Sequence, residues 1–186
     1  MKQLTPLALT ALLLILTGCE LIAPRGGSGG GGLGASDRIE TTADAEQVLA
    51  NLVAAVRYVL PYREQDTTWN DVDVEGSQGG YATIDGDLSR ASGSSNVIQM
   101  TLDTEIEFHD FCHDGSTCFD GGVDYAGWLE HVDDDDEFHG GWAIQGSVDV
   151  FGDYEDTITD MEIMIVAHDR TYGWIEAGGE TFAIPL

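Results

Sequence analysis

The chain has 186 residues, and its 34 acidic and 7 basic side chains give a formal net charge of -27 at pH 7. A surface with this charge repels nucleic acid and anionic lipid headgroups, so the composition argues against a nucleic-acid-binding role. Acidity of this kind is explained by solubility, by life in salty water or by loosely bound divalent cations such as calcium, since clustered carboxylates suffice for weak calcium sites.

The N-terminus has the layout of an export signal. Lys2 and the amino group are positive, and the run from Leu7 to Leu16 is apolar apart from Thr10. This run is shorter than the roughly 20 residues that a helix needs to cross the hydrocarbon, so we interpret residues 1–18 as a signal peptide. The stretch from Leu16 to Cys19, Leu-Thr-Gly-Cys, closely resembles the lipobox of bacterial lipoproteins.

The lipobox resemblance implies a lipid anchor at Cys19. Its sulfur would carry a diacylglyceryl group, cleavage would fall after Gly18, and the new amino group would be acylated. Several acyl chains hold a protein to a membrane far more firmly than one chain does. In many bacteria with two membranes, an aspartate directly after the lipidated cysteine resembles an inner-membrane retention signal. Glu20 occupies that position instead, so the resemblance favours the outer membrane if the source cell has two. A cysteine that merely follows an apolar signal is the alternative.

A flexible tether is predicted after the lipidated cysteine, over residues 19–40. It contains APRGGSGGGGLGAS, and Gly/Ser-rich chain behaves as a flexible coil. About twenty such residues give a root-mean-square reach of roughly 25 Å. The remaining residues, 41–186, are the length of one α+β domain with a single core.

One amphipathic helix is predicted at the start of this domain, within TTADAEQVLANLVAAVRYVLPY. Thr41 or Thr42 is suited to cap it, Asp44 complements its positive end, and Pro61 stops it. Its apolar positions recur at helical spacing and should pack on another apolar surface: Val48, Leu49, Leu52, Val53, Val56, Val59 and Leu60.

From residue 79 onward the hydrophobic period changes to two, which predicts half-buried strands. Short Asp- and Gly-rich connections require antiparallel neighbours, so we predict a β-meander of about seven strands with the helix on its apolar face. The pattern fits both a curved open sheet and a partly closed barrel. The predicted strands cover roughly residues 81–88, 96–111, 119–132, 137–151, 157–168, 172–177 and 181–185.

Two cysteines, Cys112 and Cys118, remain once Cys19 is assigned to lipid. They lie at the two ends of a short loop, and if that loop closes a hairpin they face each other at a separation that suits a disulfide. A metal site or a redox pair is the alternative, although such sites use closer cysteine spacings. We therefore predict a disulfide typical of an exported protein.

Candidate metal ligands are present, but no metal site is predicted from them. The stretch from Asp71 to Glu75 imitates an EF-hand opening, yet Ala82 stands where the loop requires glutamate, so we interpret it as an exposed loop. His131 and His139 bracket an acidic turn and could face each other at its base. His109 and His113, each beside an aspartate, raise the same question, and for all four the alternative is a solvated surface histidine.

No catalytic residue is assigned, because motifs for nucleophiles and phosphate binding are absent and carboxylates are too abundant to select a pair. Along the strand from residue 96 to 111, the polar face carries an acidic row, Asp103, Glu105 and Glu107. Aromatic residues in the strands either fill the core or line a cleft for sugars or lipids: Trp128, Trp142, Trp174, Tyr125, Tyr154 and Tyr172.

The sequence favours a non-enzymatic, lipid-anchored protein of the cell envelope with a structural or binding role and an unidentified protein or small-molecule partner. A carrier that holds a hydrophobic ligand beneath the helix is a second hypothesis, and an enzyme acting on polysaccharide or peptide is a third. An apolar cavity between helix and sheet would favour the carrier, and a cleft with converging carboxylates would favour the enzyme.

Overall fold

The structure is a computed structural model, and it describes the chain from the end of the predicted tether onward, with short gaps. The antiparallel sheet predicted from the sequence is confirmed, and the described residues form eight strands and one helix. The described ranges are 38–60, 66–92, 97–113, 116–132, 137–166 and 170–184.

The eight strands pair in the order in which they occur along the chain, each antiparallel to the next. Short connections leave a strand no route except back beside its predecessor, which produces this meander. The sheet is not closed, because its order begins with the first strand and ends with the last. The strands are β1 (Thr67–Glu75), β2 (Gly79–Ser92), β3 (Val97–Cys112), β4 (Thr117–Val132), β5 (Glu137–Gly152), β6 (Asp156–Val166), β7 (Arg170–Ala177) and β8 (Glu180–Ile184).

Strand β1 is absent from the sequence-based prediction, and the interpretation of residues 71–75 as a loop is wrong. Asp73 pairs with Thr83 of β2, whose hydroxyl donates a hydrogen bond of 2.9 Å to the Asp73 carboxylate. Asp71 has a left-handed φ of 51° in a bulge that follows Trp69, a conformation that aspartate tolerates better than most residues. Since β1 is an edge strand, its acidic side chains stay in water, and its composition imitates a loop.

Strand β3 shows how the period of two sorts residues between the faces. We call the face that carries the buried side chains the inner face and the opposite one the outer face. The predicted apolar residues Met100, Leu102, Ile106 and Phe108 are buried on the inner face. The intervening residues Gln99, Thr101, Asp103, Glu105 and Glu107 are exposed on the outer face.

A bulge near the end of β3 changes the phase of this alternation. The pairing with β4 shifts between Phe108 and Phe111, and Asp110 within the shift has a φ of 50°. Phe111 therefore also reaches the inner face and is fully buried. The ring centroid of Phe108 lies 5.4 Å from that of Phe111 and 6.1 Å from that of Phe119, which makes an aromatic centre for the core.

Helix α1 (Thr42–Val59) precedes the sheet and begins at a capping box. The Thr41 hydroxyl accepts from the backbone N–H of Asp44 at 3.2 Å, and the Asp44 carboxylate accepts from the Thr41 N–H at 2.9 Å. Asn51 Nδ2 donates to the Thr117 hydroxyl of β4 at 3.0 Å. The buried helix residues belong to the same core cluster as the inner face: Ala45, Val48, Leu49, Leu52, Ala55, Val56 and Val59.

The two ends of the sheet differ in what lies near them. Strands β2, β4, β6 and β8 begin at one end of the sheet, which we call the disulfide end, and they run towards the opposite end, which we call the far end. The backbone N–H of Ile39 donates to the Asp156 carboxylate at the start of β6, at 3.2 Å. The chain therefore enters the domain at the disulfide end.

Candidate functional site

The predicted disulfide between Cys112 and Cys118 is confirmed. The two residues are direct partners in the register of β3 and β4, and their Cα atoms are 4.4 Å apart, which suits the bond. The neighbouring pair, Phe111 and Phe119, is buried in the core beneath the hairpin. Because each sulfur is bonded to the other, neither is present as the thiolate that a metal site requires.

The predicted lipidation site, Cys19, lies outside the described residues, as do the signal peptide and the tether up to residue 37. The anchor therefore stays a prediction. In the part of the chain that the structure describes, no helix has both the length and the apolar character required to cross a bilayer.

The predicted acidic row of β3 lies on the outer face, where Asp103, Glu105 and Glu107 are exposed. The register adds acidic partners, because Asp85 of β2 and Asp124 of β4 lie directly opposite Glu105 on either side. Within the described residues, none of these five carboxylates has a hydrogen-bonding or ion-pairing partner. Like charges directly opposite one another destabilise a sheet, so this face depends on water and counterions.

The two histidines that bracket the acidic turn are not cross-strand partners. Because Val132 pairs with Glu137, the partner of His131 is Phe138, and His139 pairs with Glu130. A register in which His131 and His139 are direct cross-strand partners is therefore off by one position, and the predicted acidic turn, residues 133–136, lies outside the described residues. Across the described ranges, no group of three or more His, Cys, Asp or Glu side chains is placed to hold a metal ion.

The other two histidines contact aromatic rings rather than each other. His109 stacks on Tyr81 of β2 with ring centroids 4.5 Å apart, and His113 stacks on Tyr58 at 3.9 Å. Nδ1 of His113 is buried and has no hydrogen-bond partner among the described residues. Since Tyr58 belongs to the last turns of α1, the stack joins the helix to the disulfide hairpin.

The tryptophans predicted either to line a cleft or to fill the core are divided between the two faces. Trp142 pairs with Ile165 on the inner face, where it is half-buried and contacts Tyr125 with ring centroids 6.3 Å apart. Trp174 pairs with Glu162 on the outer face and is half-buried. Trp128 also lies on the outer face, and 52% of its surface is exposed.

A shallow groove of about 540 Å³ surrounds Trp128 on the outer face. Thr101 and Asp103 of β3 and Ala126 and Trp128 of β4 contribute to its walls, and we call it the Trp128 groove. A Cβ atom on Gly140 of β5 would lie 2.9 Å from Cε3 of the indole, so a glycine there lets the ring rest against the neighbouring strand. The groove therefore combines an aromatic surface, a carboxylate and a hydroxyl.

The prediction did not single out this groove, although the sequence contains a signal for it. In β4, Asp120, Asp124, Trp128 and Glu130 share the phase that faces solvent, while Val123 and Tyr125 share the buried one. The phase alone places the Trp128 indole on the solvent-exposed face, so the exposure of this ring could be predicted from the sequence, whereas the shape of the groove beside it depends on the register with β3.

The outer face therefore carries unpaired carboxylates and one exposed indole, both on an open surface. The inner face carries the apolar residues that pack with α1. Comparison of the chain with known proteins gave no matching family model, no similar curated protein and no similar solved structure.

Proposed function

We propose that this protein is a lipid-anchored, acidic component of the cell envelope or cell surface with a structural or binding role rather than a catalytic one. In a cell with two membranes the proposed location is the outer membrane. A flexible tether joins the lipidated Cys19 to an open, curved sheet whose apolar face is covered by α1.

The observation that carries the proposal is the division of the three cysteines. Cys112 and Cys118 are bonded to each other, as is common in oxidising compartments outside the cytosol. Cys19 is left over, and it lies at the one position where the lipobox resemblance requires a cysteine. An export route and an anchor together account for all three thiols.

The packing between α1 and the sheet supports a structural or binding role over that of a carrier. Val48, Leu52 and Val56 on the helix and Ile106 and Phe108 on β3 are fully buried in one cluster. A carrier would need hollow space lined by such side chains, whereas these five are packed together without exposed surface. The Trp128 groove lies on the open outer face of the sheet. The unpaired carboxylates lie on that open face too, which does not exclude water as catalytic sites commonly do.

Replacement of the lipid acceptor tests the anchor. We expect Cys19→Ser to move the protein from the membrane fraction to the soluble fraction, because the variant lacks the thiol that carries the acyl chains. Mass analysis of the N-terminal peptide of the wild-type protein should show a diacylglyceryl group on Cys19. The matched control is the Cys112→Ser/Cys118→Ser double variant, which should stay with the membrane. A Cys19→Ser protein that remains membrane-bound would contradict the proposal.

A further inference from the structure

We propose that the Trp128 groove binds an arginine side chain from a basic protein partner. This inference deepens the binding role proposed above and is independent of the lipid anchor. It rests on the exposed indole, on the carboxylate beside it and on the charge of the chain.

The indole of Trp128 offers a face to which a cation binds. Tryptophan is the aromatic side chain that attracts cations most strongly, and arginine is the cation found most often on such rings. The side chain is 52% exposed. The edge that contains Cε3 rests near Gly140 of the adjacent strand, so the ring is supported by the sheet rather than projecting as a mobile side chain. A supported ring loses little conformational entropy when a ligand stacks on it.

Asp103 supplies the second element of the site. Thr101 is the direct cross-strand partner of Trp128, and Asp103 lies two residues further along β3 on the same face. Asp103 is therefore a diagonal neighbour of Trp128, and such neighbours are typically about 7–8 Å apart. Its carboxylate has no partner within the described part of the chain. A planar guanidinium group that lies on the indole can extend its N–H groups towards this carboxylate, and arginine makes such paired hydrogen bonds with a geometry that lysine lacks.

The net charge of the whole chain favours a positively charged ligand. With a net charge of -27, the surface attracts cations over a distance and repels anionic lipids and nucleic acids. Asp87 lies directly opposite Asp103, and it accepts a hydrogen bond from Thr68 at 2.6 Å. The field around the groove therefore favours a guanidinium over a neutral sugar, although a sugar could also stack on the indole. A basic segment would in turn relieve repulsion on the outer face.

The position of the groove leaves it accessible to a large partner. Ile39, where the chain enters the domain, is held at the disulfide end. Trp128 lies near the far end, roughly 36 Å along β4 from Thr117 at a rise of about 3.3 Å per residue. A protein that approaches the far end of the outer face therefore does not meet the point where the tether joins the domain.

Calorimetric titration of the full chain in a polyoxyethylene detergent at low salt tests the proposal, with tetra-arginine as the probe. Tetra-arginine should bind more tightly than tetra-lysine, because guanidinium stacks on indole and is more weakly hydrated than ammonium. We expect Trp128→Ala to weaken tetra-arginine binding by about 3- to 30-fold. Asp103→Asn, which keeps the shape of the side chain, should also weaken it by at least about threefold.

Glu180→Gln is the matched control, because it removes one charge from an exposed position of β8 at the disulfide end. It should change tetra-arginine affinity by less than about twofold. Equal binding of tetra-arginine to wild type and to both groove variants would overturn the proposal and leave only attraction by net charge. Binding of neutral N-acetylchitotetraose that requires Trp128, without binding of tetra-arginine, would identify a sugar site instead. Either result leaves the anchor untouched, since that is judged by fractionation of Cys19→Ser.

Discussion

The inner and outer faces of this sheet are built from the same strands, yet they have opposite characters. On β3, Phe108 is fully buried, while its neighbour Glu107 is exposed to solvent. The inner face packs against α1 and contributes most of the hydrophobic stabilisation, because burial of apolar surface is the dominant favourable term in folding. The outer face opposes this with unpaired carboxylates. Each face can therefore be altered with little change in the other.

The two faces also carry tryptophans of two kinds. Trp142 lies on the inner face, half-buried against the core, and Trp128 lies on the outer face beside the acidic side chains. The same residue type thus serves packing on one side of the sheet and offers a binding surface on the other. What distinguishes them is the phase of the strand, since adjacent positions point to opposite faces.

Truncation of an inner aromatic residue should have the largest effect on stability. Phe108→Ala removes the ring that contacts both Phe111 and Phe119, and we expect a loss of about 3–5 kcal/mol in the free energy of unfolding from lost burial and the cavity left behind. Urea unfolding followed by circular dichroism measures this loss.

Glu107→Ala is the control for Phe108→Ala, because it truncates the adjacent residue on the opposite face. Its effect should be within about 0.5 kcal/mol of wild type. Similar losses for the two variants would mean that the faces are not divided as the structure has them.

Removal of the disulfide should have an intermediate effect. The bond joins β3 to β4 just beyond the Asp110 bulge, where the alternation changes phase and both Phe108 and Phe111 become buried. Because the loop is short, the Cys112→Ser/Cys118→Ser variant should lose about 2 kcal/mol in the chain-entropy model. Urea midpoints of the oxidised protein and of the variant give the difference.

The oxidised state is verified by mass spectrometry of the wild-type protein without reductant. The bonded form is lighter by two hydrogens than the reduced form. Two free thiols in the exported protein would contradict the bond, and an unchanged urea midpoint in the double variant would show that the core alone holds this hairpin.

The sequence predicted the antiparallel meander because alternation and short turns act locally, and β3 shows the alternation clearly. It did not predict β1, whose acidic edge resembles a loop. It also did not predict the Asp110 bulge: a strict period of two assigns Phe111 to the polar face, whereas the bulge turns this residue into the core. Bulges depend on pairing with another strand and are not visible in one segment. The disulfide followed from the hairpin, whereas the Trp128 groove required knowledge of which residues lie opposite each other.

The smallest predicted effect on stability is at the outer face, where replacing a charged carboxylate by a neutral amide should stabilise the protein. Glu105 lies between Asp85 and Asp124, so Glu105→Gln removes two like-charged cross-strand pairs. We expect a gain of roughly 0.2–1 kcal/mol in the free energy of unfolding at low ionic strength. In about 1 M sodium chloride the gain should vanish, because the screening length falls to about 3 Å.

Glu180→Gln serves as the control for this effect as well, because its cross-strand partner is Ala177 rather than an acid. It removes the same charge without relieving a direct pair, so it should stabilise the protein less than Glu105→Gln does.

Calcium chloride and sodium chloride at matched ionic strength separate screening of the outer face from cation binding, since screening alone gives equal shifts in the thermal midpoint. If calcium stabilises the wild type more than sodium does, and Glu105→Gln abolishes the difference, the outer face holds divalent cations and its acidity is more than a solvated surface.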